Sequence, residues 1–260
     1  MSGPGKQRLD LSLVERGLAP SRDKAKALIM AGEVLVNGQL QLKADCSVCS
    51  DDNLELKAKY PYVSRGAFKL ETAVNQFSCP VKGQRILDVG VSTGGFCDYL
   101  LQHGATSVVG IDVNTRQVAD SLRCDPRVIL IEKNIKYVSL SDLPYIPDWV
   151  VIDLSFISIL KALPSLIILG DVPVLGMVKP QFESPKGQVG KGGVVRDMIK
   201  VERILLSLIE SIKDLGFGVL GIAAAGIKGK KGNQEYFLLM RYGHLSLIDD
   251  RMIHNVFTTI

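Results

Sequence analysis

A chain of 260 residues, 47% apolar and 22% charged, is long enough for a full α/β core and a small second domain, which excludes a disordered tail or a disulfide-stapled miniature fold. Its net charge of +4 is unevenly placed: residues 1–69 hold eleven Lys/Arg against eight Asp/Glu, and the remainder carries one positive charge of excess. That N-terminal bias suits a polyanionic partner, and five cysteines in no dense framework suit a reduced, cytoplasmic chain.

The first twenty residues contain Lys6, Arg8, Asp10, Glu15 and Arg16 without an apolar run, so no secretory signal is read there. The longest apolar stretch, Leu163 to Val178, is broken by Asp171 and two prolines. It falls short of the roughly 20 residues of a spanning helix, and no membrane insertion is expected. Cys46 and Cys49 form a lone C-x-x-C. Zinc would need a second pair and a redox motif a thioredoxin-like context, so ordinary thiols and no metal site are expected.

In chain order, Leu9 and Leu13 lie on a helix ending near Gly17, and Ser21 can cap a second helix closed by Gly32. On it Ala25, Leu28 and Ile29 face inward, and Arg22, Lys24 and Lys26 face out. Val34-Leu-Val36 runs into Asn37-Gly38, a type I′ hairpin turn, and returns through Leu40 and Leu42. The basic face of this module is either a nucleic-acid surface or a solvated helix side. Residues 45–61 are polar and turn-rich and read as the last hairpin plus a linker. Tyr62-Val-Ser-Arg-Gly-Ala-Phe-Lys69-Leu70 then resumes an apolar helix through Phe68, Leu70 and Ala73, with Lys69 on its first turns.

From Arg85 strand and helix alternate. In Arg85-Ile-Leu-Asp-Val-Gly-Val-Ser-Thr-Gly-Gly-Phe96, Ile86, Leu87 and Val89 read as a buried strand. Gly90, Gly94 and Gly95 would let backbone approach a ligand, and Phe96, Leu100 and Leu101 begin a helix face. A nicotinamide site would follow G-x-G-x-x-G, but Ser92 takes the middle position and Asp88 stands in the turn. A nucleoside-type ligand without phosphates fits better, and a dinucleotide stays open.

Further strands run from Val108 to Ile111 ending in Asp112, Val128 to Ile131 ending near Asn134, Trp149 to Ile152 ending in Asp153, and Val174 to Val178 ending in Lys179. A long helix from about Arg196 to Lys213 and closing strands at Phe217 to Ala225 and Tyr236 to Met240 complete the pattern. Such alternation predicts a mainly parallel sheet with ligands at the carboxyl ends of its strands. Asp88, Asp112, Asn134, Asp153 and Lys179 should therefore line one rim. Asp112, 24 positions after Asp88, suits ribose hydroxyls and Asn134 an adenine edge, although each alone could be a solvated loop residue.

Asp153 lies between apolar neighbours in Ile152-Asp-Leu-Ser-Phe156, where a charge needs a partner. Lys69 and Lys179 near one another would each disfavour the other's charge, while Asp153 and Glu235 would favour it. That balance could make one lysine a general base toward a hydroxyl, and a structural salt bridge is the competing reading. Pro180 to Gly193 is too long and glycine-rich for a plain connector. Around it Lys186, Lys191, Lys228, Lys230 and Lys231, with Arg65 counted beside them, could meet polynucleotide phosphates.

Arg8-Leu-Asp10, Ser21-Arg22, Ala25, Ile29, Gly32 and Val36-Asn-Gly38 resemble the RNA-binding domain first seen in the ribosomal protein S-four family. That resemblance implies an RNA substrate without choosing the chemistry, since a pseudouridine synthase could carry the same module. Tyr62-Val-Ser-Arg-Gly66 with Lys69, Asp88 to Phe96, Val151 to Ile157, Met177-Val-Lys-Pro-Gln-Phe-Glu183, Val189 to Asp197 and Gly232-Asn-Gln-Glu235 resemble the FtsJ-like ribose methyltransferases. Over residues 7 to about 242 the chain is similar to the TlyA family of ribosomal RNA 2′-O-methyltransferases.

The resemblance implies an α/β, Rossmann-like class I methyltransferase fold behind a small N-terminal α+β RNA-binding domain. Its implied divisions are an S-four-like domain at 7–55, a linker at 56–66, a methyltransferase domain at 67–242 and a C-terminal tail at 243–260. It implies S-adenosyl-L-methionine held by Asp88, Gly90, Ser92, Thr93, Gly94, Gly95, Phe96, Asp112, Asn134 and Asp153. It also implies a tetrad of Lys69, Asp153, Lys179 and Glu235, with Lys179 deprotonating or steering the 2′-hydroxyl. Ribosomal RNA or ribosomal subunits would be the partner, met by Arg8, Arg22, Lys24, Lys26, Arg65, Lys186, Lys191, Lys228, Lys230 and Lys231. The chain departs from the family pattern at Val91, usually Ala, and at Cys97, often Thr. Family members are often labelled haemolysins, yet no pore-forming amphipathic segment is read here. The rival reading is an RNA- or ribosome-binding assembly factor without chemistry, which full occupancy of the tetrad disfavours.

Overall fold

The computed structural model describes residues 6–56, 61–184, 190, 192–229 and 231–258, and the chain falls into two compact units, Met1–Pro61 and Tyr62–Ile260. The first is built from β1 (Gln7–Arg8), α1 (Leu9–Glu15), α2 (Arg22–Met30), β2 (Val34–Val36), β3 (Gln39–Gln41), β4 (Ser47–Val48) and β5 (Leu54–Leu56). Ser21 caps α2 by accepting the Lys24 backbone N–H at 3.3 Å. Asn37 and Gly38, at φ 50° and 77°, turn β2 into antiparallel β3, as a type I′ hairpin requires. Leu9, Leu13, Ala25, Ile29 and Val34 form its core with Val48 and Leu54.

That core also encloses a charge. Asp10 is wholly buried, and its carboxylate accepts Arg8 Nε and Nη2 and Arg22 Nε, each at 3.0 Å. The Arg8 hydrogen bonds, followed by those of Arg22, hold the Asp10 carboxyl well below the usual carboxylate range. Arg8 and Arg22, expected to face RNA, thus also serve the unit internally.

The second unit comprises α3 (Gly66–Phe77), β6 (Arg85–Val89), α4 (Gly95–Gln102), β7 (Ser107–Asp112), α5 (Asp120–Arg123), β8 (Val128–Glu132), β9 (Trp149–Ile152), α6 (Leu163–Leu166), β10 (Val174–Val178), α7 (Pro180–Glu183), α8 (Met198–Asp214), β11 (Phe217–Ala224), β12 (Tyr236–Tyr242) and α9 (Asp250–Thr258). Its seven-stranded sheet has the order β11-β12-β10-β9-β6-β7-β8. Strands β6 to β10 pair in parallel, and β12 runs antiparallel to both its neighbours. The chain moves outward from β6 through β7 to β8, then returns to place β9 on the other side of β6. This switch point is where doubly wound sheets bind ligands.

Every residue of β9 and β10 is buried, because helices cover both faces, so these strands read as unbroken apolar runs. Their side chains alternate between two cores. Val150, Ile152, Val174 and Val178 enter one, and Trp149, Val151, Leu175 and Met177 the other. Helix α8 starts where Asp197 accepts the Ile199 and Lys200 backbone N–H groups and buries Val201, Ile204, Leu205, Leu208, Ile209 and Ile212. Within the stretch read as a C-terminal tail, Asp250–Thr258 form α9, with Ile253 only 2% exposed and His254 Nδ1 3.2 Å from Glu202. Ile253, Val256 and Phe257 already carry the helical period. No helix among the described residues is long and apolar enough to cross a membrane.

Candidate active site

At the switch point β6 ends in a turn with Gly90 at φ 89°, Ser92 at 50° and Gly94 at 96°. A side chain at Gly90 would stand 2.5 Å from the Asp153 carbonyl oxygen, and at Gly94 or Gly95 it would run into Leu122 or Ser64. These glycines make room for neighbouring protein, and Gly90 and Gly95 also border a cleft. The turn is clamped between the end of β9, Leu122 and Ser64, and its fixed backbone borders two clefts.

Both clefts share Gly90, Ser92 and Asp153. One, of about 470 Å³, is completed by Ser64, Arg65, Gly66, Lys69, Thr93, Gly95, Phe96 and Lys228. The other, of about 450 Å³, is completed by Ile111, Asp112, Lys133, Asn134 and the stretch from Leu154 to Ile157. These volumes lie in the range of small-molecule sites. Asp112 accepts the Ser92 backbone N–H at 2.9 Å and that of Asn114 at 3.1 Å, which fixes the carboxylate and leaves lone pairs for hydroxyl donors. Asn134 Oδ1 accepts the Lys136 backbone N–H at 3.1 Å, leaving its NH₂ group to the cleft.

Asp88 lines neither cleft. It is fully buried, and neither carboxylate oxygen reaches hydrogen-bond geometry with a donor. Burial, reinforced by the nearby Asp153 and Asp112 carboxylates, pushes Asp88 up to about 8, and the Cys97 backbone amide offsets only part of this. Gly94 also lies outside both clefts, while Ser64, which sequence reasoning passed over, borders the first.

A third cleft, of about 380 Å³, holds Lys69, Ser155, Phe156, Lys179, Gln181, Phe182, Gly193, Gly229, Lys231, Asn233 and Glu235. Lys69, on the first turn of α3, donates to Glu235 Oε2 at 2.6 Å. Lys179, the first residue after β10, lies 2.5 Å from Asp153 Oδ1 and donates to Ser155 Oγ at 2.8 Å. Glu235 is 3% exposed and Lys179 8%, so both pairs act in a medium that screens charge poorly. The antiparallel course of β12 makes this arrangement possible. Val178 and Tyr236 are register partners, so the residue after one strand and the residue before the other stand side by side. Lys69 borders the first and third clefts, Asp153 the first and second, and Ser155 and Phe156 the second and third. The three clefts therefore join around the two ion pairs.

Ser155, Phe156 and Asn233 were not singled out in the sequence. Phe156 sits at φ 69°, an uncommon conformation for a bulky residue, with its ring 5.2 Å from Phe182. No composition signal marks such a backbone. Among the expected RNA-facing residues, Lys24 and Lys231 are exposed and Lys26 lies 3.8 Å from Asp23. Arg65 donates to the Lys228 carbonyl oxygen at 3.4 Å, and Arg8 and Arg22 keep 43% and 49% of their side chains open beyond Asp10. Lys186, Lys191 and Lys230 lie outside the described residues.

A switch-point turn, joined clefts and a reversed strand beside β10 define a Rossmann-like methyltransferase fold. A solved S-adenosylmethionine-dependent methyltransferase from Listeria monocytogenes shares it at a TM-score of 0.50 and 15% identity, over 69% of this chain and 99% of that one. Residues 62–242 match the FtsJ-like methyltransferase family and residues 7–52 the S4 domain. The 16S/23S rRNA (cytidine-2′-O)-methyltransferase TlyA of Mycobacterium tuberculosis is 43% identical over 239 residues, covering 90% of this chain and 89% of that protein. A solved structure from Streptococcus thermophilus that carries a hemolysin label aligns at a TM-score of 0.73 and 34% identity, over 99% of this chain and 98% of that one. The chain belongs to the TlyA family of FtsJ-like methyltransferases that carry an S4 domain.

Proposed function

We propose that this chain methylates the 2′-oxygen of a ribose in ribosomal RNA, at a cytidine as in the M. tuberculosis relative, using S-adenosyl-L-methionine. The observation that carries the proposal is the convergence of the Lys69–Glu235 and Lys179–Asp153 pairs where the two clefts on the glycine turn meet the third. S-adenosylmethionine fits the first two clefts chemically. Asp112 offers acceptors for ribose hydroxyls, the Asn134 amide can meet an adenine edge, and backbone at Gly90, Ser92, Thr93 and Gly95 with Phe96 borders the rest. When bound, it supplies an electrophilic methyl group on a sulfonium.

The chain's own residues hold the acceptor. Lys179 Nζ, ion-paired with Asp153 and donating to Ser155 Oγ, keeps donor capacity for the 2′-oxygen. It thereby steers the hydroxyl for attack and governs where its proton goes. Lys69, fixed by Glu235, adds a second donor to the same cleft. Most of the acceleration then comes from holding two reactants in line. Residues 7–55 act as the RNA-docking domain, 56–66 as the linker and 67–242 as the methyltransferase, with Lys24, Lys26, Lys228, Lys231 and the open faces of Arg8, Arg22 and Arg65 meeting phosphates. A ribosomal RNA or subunit substrate supports a cytoplasmic location.

Replacing Lys179 by Ala tests the assignment. Methyl transfer to ribosomal RNA is expected to fall about 10²–10⁴-fold, with S-adenosylmethionine affinity by calorimetry within about threefold. Undiminished transfer would remove Lys179 from the mechanism. A wild-type chain that binds ribosomal RNA but neither binds the methyl donor nor transfers a methyl group would instead be an assembly factor.

A further inference from the structure

We infer that Asn233 is a positioning residue: its side-chain amide clasps segment 192–195 against the start of β12, setting Gly193 on the wall of the cleft that receives the acceptor ribose. The inference rests on the ribose methyltransferase reading for the identity of the acceptor, and on geometry alone for the clasp. Asn233 is 3% exposed and both ends of its amide are used. Oδ1 accepts the Val195 backbone N–H at 2.9 Å and Nδ2 donates to the Gly193 carbonyl at 2.8 Å. The side chain thus satisfies one donor and one acceptor two residues apart, as a neighbouring strand would. Its own carbonyl accepts the Gly229 N–H at 2.9 Å, which ties the preceding turn to the same point.

Of its own the clasped segment has the Gly193 N–H donating to the Gly190 carbonyl at 3.0 Å, a turn that leaves the Gly193 carbonyl and the Val195 N–H to Asn233. Gly192 and Gly193 stand at φ 87° and 77°, so ordering them costs more backbone entropy than ordering other residues. The Val195 side chain, 9% exposed, anchors only the far end. With the amide in place, Gly193 lies beside Lys231, a side-chain position there standing 3.6 Å from Lys231 Nζ. Both residues border the cleft that contains Lys69, Lys179 and Glu235. Neither cofactor-side cleft includes Asn233 or any residue of 192–195. The clasp should therefore govern RNA and leave the methyl donor alone.

Asn233→Ala and Asn233→Asp, made in the full chain, separate these roles. For Asn233→Ala the KM for ribosomal RNA is expected to rise about tenfold, with S-adenosylmethionine affinity within about twofold. By NMR hydrogen exchange the Val195 amide should exchange at least about tenfold faster, while amides of β10 and β12 keep their protection. Asn233→Asp retains an acceptor for Val195 but sets an unpaired carboxylate against the Gly193 carbonyl, so it should be at least as disruptive as Ala on both measures. Unchanged Val195 exchange, a parallel loss of methyl-donor affinity, or general loss of protection in β10 and β12 would each overturn the clasp. A wild-type chain without methyl transfer would overturn the ribose reading, and the exchange measurement would still decide the clasp.

Discussion

Asp10, Asp88 and Gly229 each show one side chain, or its lack, controlling a region. The Asp10 carboxylate takes three hydrogen bonds from two guanidinium groups and is held below the usual carboxylate range. A lowered folded value means its stabilisation is complete above the unfolded value of about 3.9 and is lost as pH falls through the folded one. Asp10→Asn should therefore flatten the acid side of the first unit's melting profile, costing about 1–3 kcal/mol at neutral pH because the guanidinium groups are half open to solvent. An unchanged acid limb would show that Asp10 does not carry it. Asp88 has the opposite sign. Burial pushes it up to about 8, so the folded chain keeps a proton that the unfolded chain has lost, and stability falls as pH rises from about 4 to about 8. Asp88→Asn is expected to melt higher than wild type at pH 8 and close to it at pH 5, and equal melting at both would refute the burial argument. At Gly229 an added side chain would stand 2.5 Å from Glu235 Oε1, in direct conflict with the Lys69 pair. Gly229→Ala should lower kcat about tenfold or more with little change in methyl-donor affinity, and unaltered kcat would show that the pair can shift without cost. Only the residue types here were visible in the sequence. The Asp10 contacts of Arg8 and Arg22 were not legible, because no local spacing tells a guanidinium that points at solvent from one that also meets a buried carboxylate.

Elements were legible where burial imposes a period. Strands β6 to β10 and helix α8 follow from unbroken apolar runs and an i, i+3, i+4 stripe, and their boundaries lie within a few residues of the expected ones. The two-residue strands β1 and β4 are too short to carry a period. The glycines of the β6–α4 turn were readable as glycines, but not as spaces for Ser64, Leu122 and the Asp153 carbonyl, since those neighbours arrive from distant parts of the chain. The pairing of Lys69 with Glu235 spans 166 positions and depends on the reversal of β12, which no local pattern announces. Helix α9 was within reach, because Ile253, Val256 and Phe257 share a helical face that packs on the sheet's larger core. Ile253→Ala is expected to destabilise the second unit by about 2–4 kcal/mol, read from denaturant midpoints at constant m-value. A cost below about 0.5 kcal/mol would mean that α9 is not integral to that core.

At the scale of the whole molecule, each unit has its own apolar interior, and all three clefts belong to residues from Tyr62 onward. A fragment beginning at Tyr62 should fold and bind S-adenosylmethionine like the full chain while binding ribosomal RNA at least about tenfold more weakly. Equal RNA affinity, compared by filter binding at fixed salt, would deny the first unit its docking role. The strand order also has a consequence for synthesis. β12 is made after β11 yet lies between β11 and β10, so the sheet cannot close as the chain emerges and must wait for a late strand to enter its middle. Every residue bordering the second cleft has been synthesised by Ile157, whereas Glu235 is added only just before β12. On the proposed function, a nascent chain would assemble most of its methyl-donor side long before Glu235 joins Lys69, and methyl transfer would wait for the last hairpin to be inserted.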